Sequence, residues 1–314
     1  MAKVGIVGSG LIGKSWAMLF ASAGYQVLIY DVDEDQLSRA IESIGTQLDE
    51  FEKSGLLRGK LSAKEQLKLI KTSRNLGDVV VNSKHVQECV YEDLSLKQKV
   101  FKEICKYCNS DETVLCSSTS CIMPSKLFVG LERVSQCIIA HPCNPPSLCP
   151  LTEIVPHPET SQAVRQRTRD LMEEIGQVPV LLNKEIDGFA LNRIQYSVIN
   201  ECWRLVQGGY MTTEDVDKVM TAGMGMRYAF IGPFETCHLN AEGTVQYMDK
   251  YAEGIKRVSS TFGPTPEYDK DSVAKINQEI CQKVPDTREQ LEQRRKWRDN
   301  GLAELAKLKK QLPE

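Results

Sequence analysis

Lys3-Val4-Gly5-Ile6-Val7-Gly8-Ser9-Gly10-Leu11-Ile12-Gly13, running on into Lys14 to Ala23, is the stretch that decides the fold. Lys3 to Val7 is an apolar run of the length of a buried strand, and the residues after Gly13 keep helical spacing. Between them stand three glycines in the pattern G-x-G-x-x-G. A second strand, Gln26 to Tyr30, ends in Asp31, eighteen residues after Gly13 and close to the ~20 expected when such a loop holds a dinucleotide. Each glycine answers a steric demand: Gly8 a tight turn, Gly10 the approach of backbone to a pyrophosphate, Gly13 close packing of helix on strand. The anion then meets a helix N-terminus, whose unpaired N–H groups and dipole favour it. The Asp31 carboxylate accepts hydrogen bonds from a ribose 2′-hydroxyl and repels a 2′-phosphate, so the expected cofactor is NAD rather than NADP. A glycine-rich turn without a nucleotide explains the loop alone, but not strand, loop, helix and acid in that order.

Working outward, the alternation of strand and helix continues. Val86 to Val90, Thr113 to Ser117, Gln136 to Ala140, Leu151 to Val155 and Val178 to Leu182 are short apolar runs suited to buried strands. Glu34 to about Ile70 is charged and helix-compatible, with Leu37, Ala40, Ile41, Ile44 and Leu48 three and four apart, and Leu94 to Tyr107 is a further helix. Val79-Val80-Val81 suits either a strand or a helix end. This order predicts an α/β fold, a Rossmann-type, mostly parallel, doubly wound sheet over residues 1–184. After Lys184 the pattern changes: Ile186, Ala190, Ile194, Val198, Cys202 and Leu205 keep helical spacing, and no comparable strand follows. Residues 185–314 are therefore expected to form a smaller all-α domain, with Thr212 and Asp215 capping one helix and Arg288 to Lys310 forming the last. Its apolar stripes exceed what one small bundle hides, which predicts a homodimer through this domain.

Composition narrows the function. The 314 residues carry 39 basic and 42 acidic side chains, a formal charge of −3, which offers no footprint for nucleic acid or an anionic membrane. The longest apolar runs fall short of the ~18 residues of a membrane span. Eleven cysteines, an odd number in a long chain whose start does not resemble a signal peptide, predict reduced thiols and a cytoplasmic protein. No His or Cys spacing suggests a metal site.

Ligands in open α/β sheets gather at the carboxyl ends of strands. Ser117-Ser118-Thr119-Ser120 closes one predicted strand, His141 closes the next, and Glu153 lies on the strand after the His141-Pro142-Cys143-Asn144-Pro145-Pro146 loop. Oxidising an alcohol takes a base to remove the hydroxyl proton while hydride leaves carbon. An imidazole, which changes charge near neutral pH, suits that task. A carboxylate on its other nitrogen fixes the tautomer and stabilises the imidazolium, the role Glu153 is placed to fill. Taken singly, His141 is equally a loop-stabilising group, Glu153 a solvated residue of an edge strand and Ser120 a cap.

Together with Gly188-Phe189-Ala190-Leu191-Asn192-Arg193, these segments resemble, in order and spacing, the 3-hydroxyacyl-CoA dehydrogenase family over nearly the whole chain. The resemblance implies that His141 is the base, Glu153 its orienting carboxylate, and Ser120 and Asn192 donors to the reacting oxygen, with Asn144 shaping the loop. On the cofactor side it implies contacts from Gly8, Gly10, Leu11, Ile12, Gly13, Asp31, Glu92 and Lys97. Asn192 belongs to the first helix of the second domain, so the resemblance implies an active site in an interdomain cleft. One departure bears on the substrate. Where acyl-CoA members carry a small or apolar stretch, this chain has Met226-Arg227-Tyr228-Ala229-Phe230-Ile231 ahead of Gly232-Pro233-Phe234-Glu235. Arg227 is suited to bind a free carboxylate in bidentate fashion, and equally to a structural ion pair. Cys121 to Lys126, His157 to Thr160 and Gly225 to Pro233 resemble the branch of the family that oxidises the hydroxy acid L-gulonate. A hydroxyacyl-CoA or carnitine substrate is the alternative. The 3-hydroxyisobutyrate type places a lysine four residues before its asparagine, where this chain has Gly188. A purely structural role needs the fold, but not His141, Glu153 and Asn192 together.

Overall fold

The computed structural model describes residues 2–312. The chain divides into two compact units at Arg193/Ile194, later than the change of pattern after Lys184. Residues 185–193 stay with the first unit through hydrogen bonds that apolar spacing does not reveal: Ser125 N–H donates to Glu185 Oε2 at 2.7 Å, and Asn192 Nδ2 to the Ser120 carbonyl at 2.7 Å.

The first unit is built on one sheet of eight strands: β1 (Lys3–Val7), β2 (Gln26–Tyr30), β3 (Ile70–Ser73), β4 (His85–Glu88), β5 (Val114–Ser117), β6 (Cys137–Pro142), β7 (Leu151–Pro156) and β8 (Val178–Leu181). Their order is β3-β2-β1-β4-β5-β6-β7-β8. All neighbours are parallel except β6 and β7, so β7 and β8 run against the other six. The helices of this unit are α1 (Leu11–Ser22), α2 (Glu34–Lys53), α3 (Ala63–Leu69), α4 (Leu76–Val80), α5 (Leu94–Tyr107), α6 (Pro124–Leu127) and α7 (Gln162–Glu174). They cover both faces because the strands are apolar on both, with residue parity choosing the layer. Val4, Ile6, Cys116, Ile138 and Ala140 join α1, α2 and α7 in one core, while Val7, Leu115, Cys137, Ile139 and Val155 join α5 in the other.

Three local features depart from the sequence expectation. The charged stretch from Glu34 breaks into α2 and α3, the latter started by a reciprocal Ser62–Glu65 capping box. β3 is an edge strand of sequence Ile-Lys-Thr-Ser, buried only at Ile70, so no apolar run announces it. Val79-Val80-Val81 lies at the end of α4, which Asn75 caps by accepting from the Gly77 N–H.

The second unit takes up most of α8 (Leu191–Gln207) and then α9 (Thr213–Lys218), a π-helical turn over Val219–Met224, α10 (Gly225–Tyr228), α11 (Pro233–Leu239), α12 (Thr244–Ser259), α13 (Lys270–Lys283) and α14 (Arg288–Gln311). Thr212 caps α9 by accepting from the Asp215 N–H. Its helices leave Ile194, Tyr196, Phe234, Val245 and Trp297 exposed. No helix among the described residues is long and apolar enough to cross a membrane.

Candidate active site

The glycine loop meets the demands its spacing implies. Gly8 takes a φ of 105°, and a Cβ there would lie 2.8 Å from the Cys89 backbone. A Cβ on Gly13 would stand 2.0 Å from the Gly8 carbonyl oxygen, so α1 packs against the turn only because Gly13 has none. Around Gly10 the space is open to 4 Å, leaving its backbone free to receive a ligand. The first N–H groups of α1, at Leu11 and Ile12, lack intrahelical acceptors and are available to an anion. Asp31, just past β2, is held in place: its Oδ2 accepts from Ser9 N–H at 2.8 Å, Ser9 Oγ at 2.7 Å and Gln36 Nε2 at 3.2 Å. Gly8, Ser9, Gly10, Leu11, Ile12, Asp31 and Gln36 line a cavity of about 1000 Å³ that also takes in Lys14, Val32, Arg39, Val90 and Tyr91. Open backbone at Gly10, a bare helix start and an oriented carboxylate together fit a dinucleotide.

His141 and Glu153 are brought together by the one antiparallel pairing in the sheet. In the β6–β7 register His141 lies opposite Glu153, where cross-strand side chains on one face meet. His141 Nδ1 and Glu153 Oε2 are 2.8 Å apart, and both residues are buried. Glu153 Oε1 accepts from the Ala190 and Leu191 N–H groups, each at 2.8 Å, so the same carboxylate caps the start of α8. Burial opposes ionisation of Glu153, but His141 and the two backbone donors outweigh it and hold its pKa below the usual carboxylate range. Glu153 is thus an anion that only accepts. The hydrogen on His141 must sit on Nδ1, and Nε2, which makes no hydrogen bond among the described residues, presents its lone pair. Phe189, buried in a left-handed conformation at φ 51°, packs its ring centroid 5.7 Å from that of His141.

A second polar cluster follows the carboxyl ends of β4 and β5. Glu92 Oε1 accepts from Thr119 Oγ1 at 2.5 Å, Ser120 N–H at 2.8 Å and Ser120 Oγ at 3.2 Å. Lys97 Nζ stands 3.3 Å from the other oxygen of Glu92 and donates to Glu88 Oε1 at 2.8 Å and the Val90 carbonyl at 3.0 Å. Burial pushes Lys97 down, but the Glu88 and Glu92 carboxylates reverse this and raise it above the ordinary lysine value.

The model of the 3-hydroxyacyl-CoA dehydrogenase NAD-binding domain matches residues 3–186, and that of the family's C-terminal domain matches residues 188–297. The chain belongs to the 3-hydroxyacyl-CoA dehydrogenase family. Its cofactor is NAD. It is 55% identical over 307 residues to the lambda-crystallin homolog of Rattus norvegicus, covering 98% of this chain and 96% of that one. It is 34% identical to the L-carnitine dehydrogenase of Oceanobacillus iheyensis, covering 84% and 81%. In fold it is similar to the NAD⁺-dependent 5-formyl-3-hydroxy-2-methylpyridine 4-carboxylic acid 5-dehydrogenase, with a TM-score of 0.83, 23% identity and 98% of both chains covered.

His141 and Glu153 form one hydrogen-bonded pair and Ser120 and Asn192 another, the two joined by the α8 backbone whose Ala190 and Leu191 N–H groups Glu153 accepts, and Glu92 and Lys97 adjoin Ser120. Asn144 is exposed in the loop between β6 and β7. Lys97 does not line the cofactor cavity, and its side chain is 2% exposed. Arg227 lies on α10 in the second unit, exposed and without a carboxylate partner among the described residues. Glu88 and Phe189 escape sequence reasoning because the first reads as the polar end of a strand and the second as an ordinary core residue. No group of three or more His, Cys, Asp or Glu among the described residues is placed to hold a metal ion.

Proposed function

We propose that the protein oxidises L-gulonate to 3-dehydro-L-gulonate, with His141 as general base and Glu153 as its orienting acid. The observation that carries this is the 2.8 Å His141–Glu153 contact, in which the carboxylate is anchored on the α8 backbone and the Nε2 lone pair is free. Bound NAD supplies the hydride acceptor. His141 Nε2 takes the hydroxyl proton, and Glu153 stabilises the imidazolium that forms. The Ser120 hydroxyl, turning its one hydrogen from Glu92 Oε1 to the substrate, and the second amide hydrogen of Asn192 donate to the oxygen as it becomes a carbonyl, with Asn192 oriented by its bond to the Ser120 carbonyl. The alcohol thus gives hydride to the cofactor and a proton to the base, leaving the 3-oxo acid.

Arg227 supports a free acid over a thioester. It is an exposed cation with no carboxylate partner among the described residues, so the structural ion pair that would explain it otherwise is missing. A charge-assisted pair with a substrate carboxylate contributes about 1.5–3 kcal/mol. Similarity to an L-carnitine dehydrogenase makes carnitine, also a hydroxy acid, the second reading, but at 34% identity against 55% to a lambda-crystallin homolog. A cytoplasmic homodimer through the helical unit completes the reading, consistent with the exposed apolar side chains there. A lens-structural role, of the kind the crystallin name describes, is compatible with it.

NADH formation is to be measured across L-gulonate, L-carnitine and 3-hydroxybutyryl-CoA, with L-gulonate expected to give the highest kcat/KM. A preference for the thioester would refute the substrate. His141→Gln should nearly abolish turnover while NADH still binds, and unchanged turnover would remove the base. Arg227→Met should raise KM for the acid about tenfold or more and leave Kd for NADH unchanged. An equal rise in both would sink the carboxylate contact.

A further inference from the structure

Phe189 holds a backbone conformation that its own side chain disfavours. Its φ of 51° is left-handed, a region that glycine enters freely and a bulky residue only under strain. Such strain persists where the surrounding structure enforces it, and it gathers at functional sites. The bend itself has a visible effect. Phe189 N–H donates to the Ile186 carbonyl at 3.1 Å, and the chain then turns so that the next three residues all face the site: Ala190 and Leu191 place their N–H groups on Glu153 Oε1, and Asn192 its amide on the Ser120 carbonyl. A glycine at 189 would make the same bend without strain, so the bend does not explain the phenyl ring.

The ring is fully buried and belongs to the same apolar layer as Ile139 and Val155. Those two are paired across β6 and β7 two residues from the His141–Glu153 pair, hence on the same face of the sheet. There the ring meets the imidazole, with centroids 5.7 Å apart and planes inclined at 59°, a separation at which rings pack in contact. The imidazole needs such a neighbour. Among the described residues its one hydrogen bond is Nδ1 to Glu153, and a ring held at one atom can rock about that contact and carry Nε2 off its line.

We infer that Phe189 is a positioning residue, its ring the stop against which the His141 imidazole rests and its left-handed backbone the turn that seats the α8 N–H groups on Glu153. Base and acid are thereby aimed by one residue. Glycine would keep the turn and lose the stop, and leucine would keep an apolar filler without the flat ring.

The inference rests on His141 acting as the base, and its test compares Phe189→Leu, Phe189→Ala and Phe189→Gly. On L-gulonate, well below each Tm, all three should lower kcat about 10- to 100-fold, the scale of a misplaced catalytic group, with KM for the acid and Kd for NADH within about threefold of wild type. A Phe189→Leu enzyme with kcat within threefold of wild type would make the ring a mere core filler and overturn the inference. Strain is read separately: Phe189→Gly should melt about 2–4 °C above Phe189→Ala, the reverse of the usual order, and Ala at or above Gly would remove the strained turn. The Ala190 and Leu191 amides should keep their protection from hydrogen exchange in Phe189→Gly, so that its lost turnover belongs to the ring. Loss of that protection would return the defect to the cap and overturn the role of the ring.

The ¹⁵N resonances of the His141 imidazole give a readout that needs no substrate. Wild type should show the two separated nitrogen shifts of a fixed Nδ1–H tautomer, and each variant should bring them closer together as the ring leaves Glu153 for part of the time. Unchanged shifts in all three would refute the inference. An enzyme inactive on L-gulonate that shows the change would sink the substrate reading alone, whereas full turnover by His141→Gln would sink the base and this inference with it.

Discussion

Replacing Glu153 by Gln isolates what the acid does for the base. The carboxylate serves two masters: Oε1 takes the Ala190 and Leu191 N–H groups, and Oε2 faces His141 Nδ1. A glutamine has one oxygen, and it can satisfy only one side. Turning the amide nitrogen toward the backbone would leave two donors without an acceptor, at about 1–3 kcal/mol each, so the oxygen stays on α8 and the amide N–H₂ faces the imidazole. His141 Nδ1 must then accept. Its hydrogen moves to Nε2, the lone pair that removes the substrate proton is gone, and no anion remains to stabilise an imidazolium. The same acid-to-amide exchange behind the histidine of a serine protease lowers turnover about 10⁴-fold, or about 5.4 kcal/mol of barrier at 1.36 per decade. The fold should survive, because the cap on α8 is kept. NADH formation under saturating NAD and acid, together with Tm, checks both halves. A loss below about tenfold with an unchanged Tm would mean that Glu153 does not set the tautomer, and the assignment of His141 as base would fall with it.

Two further outcomes follow from buried or oriented charge elsewhere. His85 is fully buried, and burial lowers its pKa from 6.5 to about 4. Because the folded value lies below the unfolded one, the unfolded chain takes up the proton first as pH falls: the contribution is whole above about 6.5, is lost progressively down to about 4, and is constant below. That lowering is worth about 3 kcal/mol, so denaturant titrations of wild type and His85→Gln should diverge by that amount between the two pH values, and a difference independent of pH would refute it. Asp31→Asn keeps an oxygen for the Ser9 donors but removes the charge. The ratio of kcat/KM for NAD over NADP should fall about tenfold or more, and an unchanged ratio would mean that Asp31 does not read the ribose.

How much of this was legible depends on whether the signal was local. The glycine loop, Asp31 and the alternation of strands are dictated by steric rules acting within a few residues, and they appear in the structure where the spacing puts them. The His141–Glu153 contact was half legible. Both residues mark themselves by type and by position near strand ends, but their apposition depends on β7 running antiparallel to β6, which apolar runs do not encode. β3 escaped notice because a half-exposed edge strand shares its composition with the helices before it. The later division of the chain at Arg193 was hidden for a related reason: what ties residues 185–193 to the sheet is a set of polar contacts, to Ser125, Glu153 and Ser120, that hydrophobic periodicity cannot report.

Those polar contacts share a logic. Glu153 spends one oxygen on the base and the other on the backbone at the start of α8, and Glu92 spends one oxygen on the Ser120 loop and the other on Lys97. Each carboxylate is therefore divided between a group proposed for chemistry and a fixed part of the scaffold. A carboxylate with both oxygens free would orient nothing, since a side chain with several rotatable bonds loses its direction unless something else holds it. Each stays ionised and aimed: His141 and two backbone N–H groups hold Glu153, and the Thr119 hydroxyl with the Lys97 ammonium holds Glu92. If positioning is what these second contacts supply, then disturbing them should change kcat before it changes cofactor affinity. Were affinity to fall first, the acids would be binding groups, and the division of their oxygens incidental.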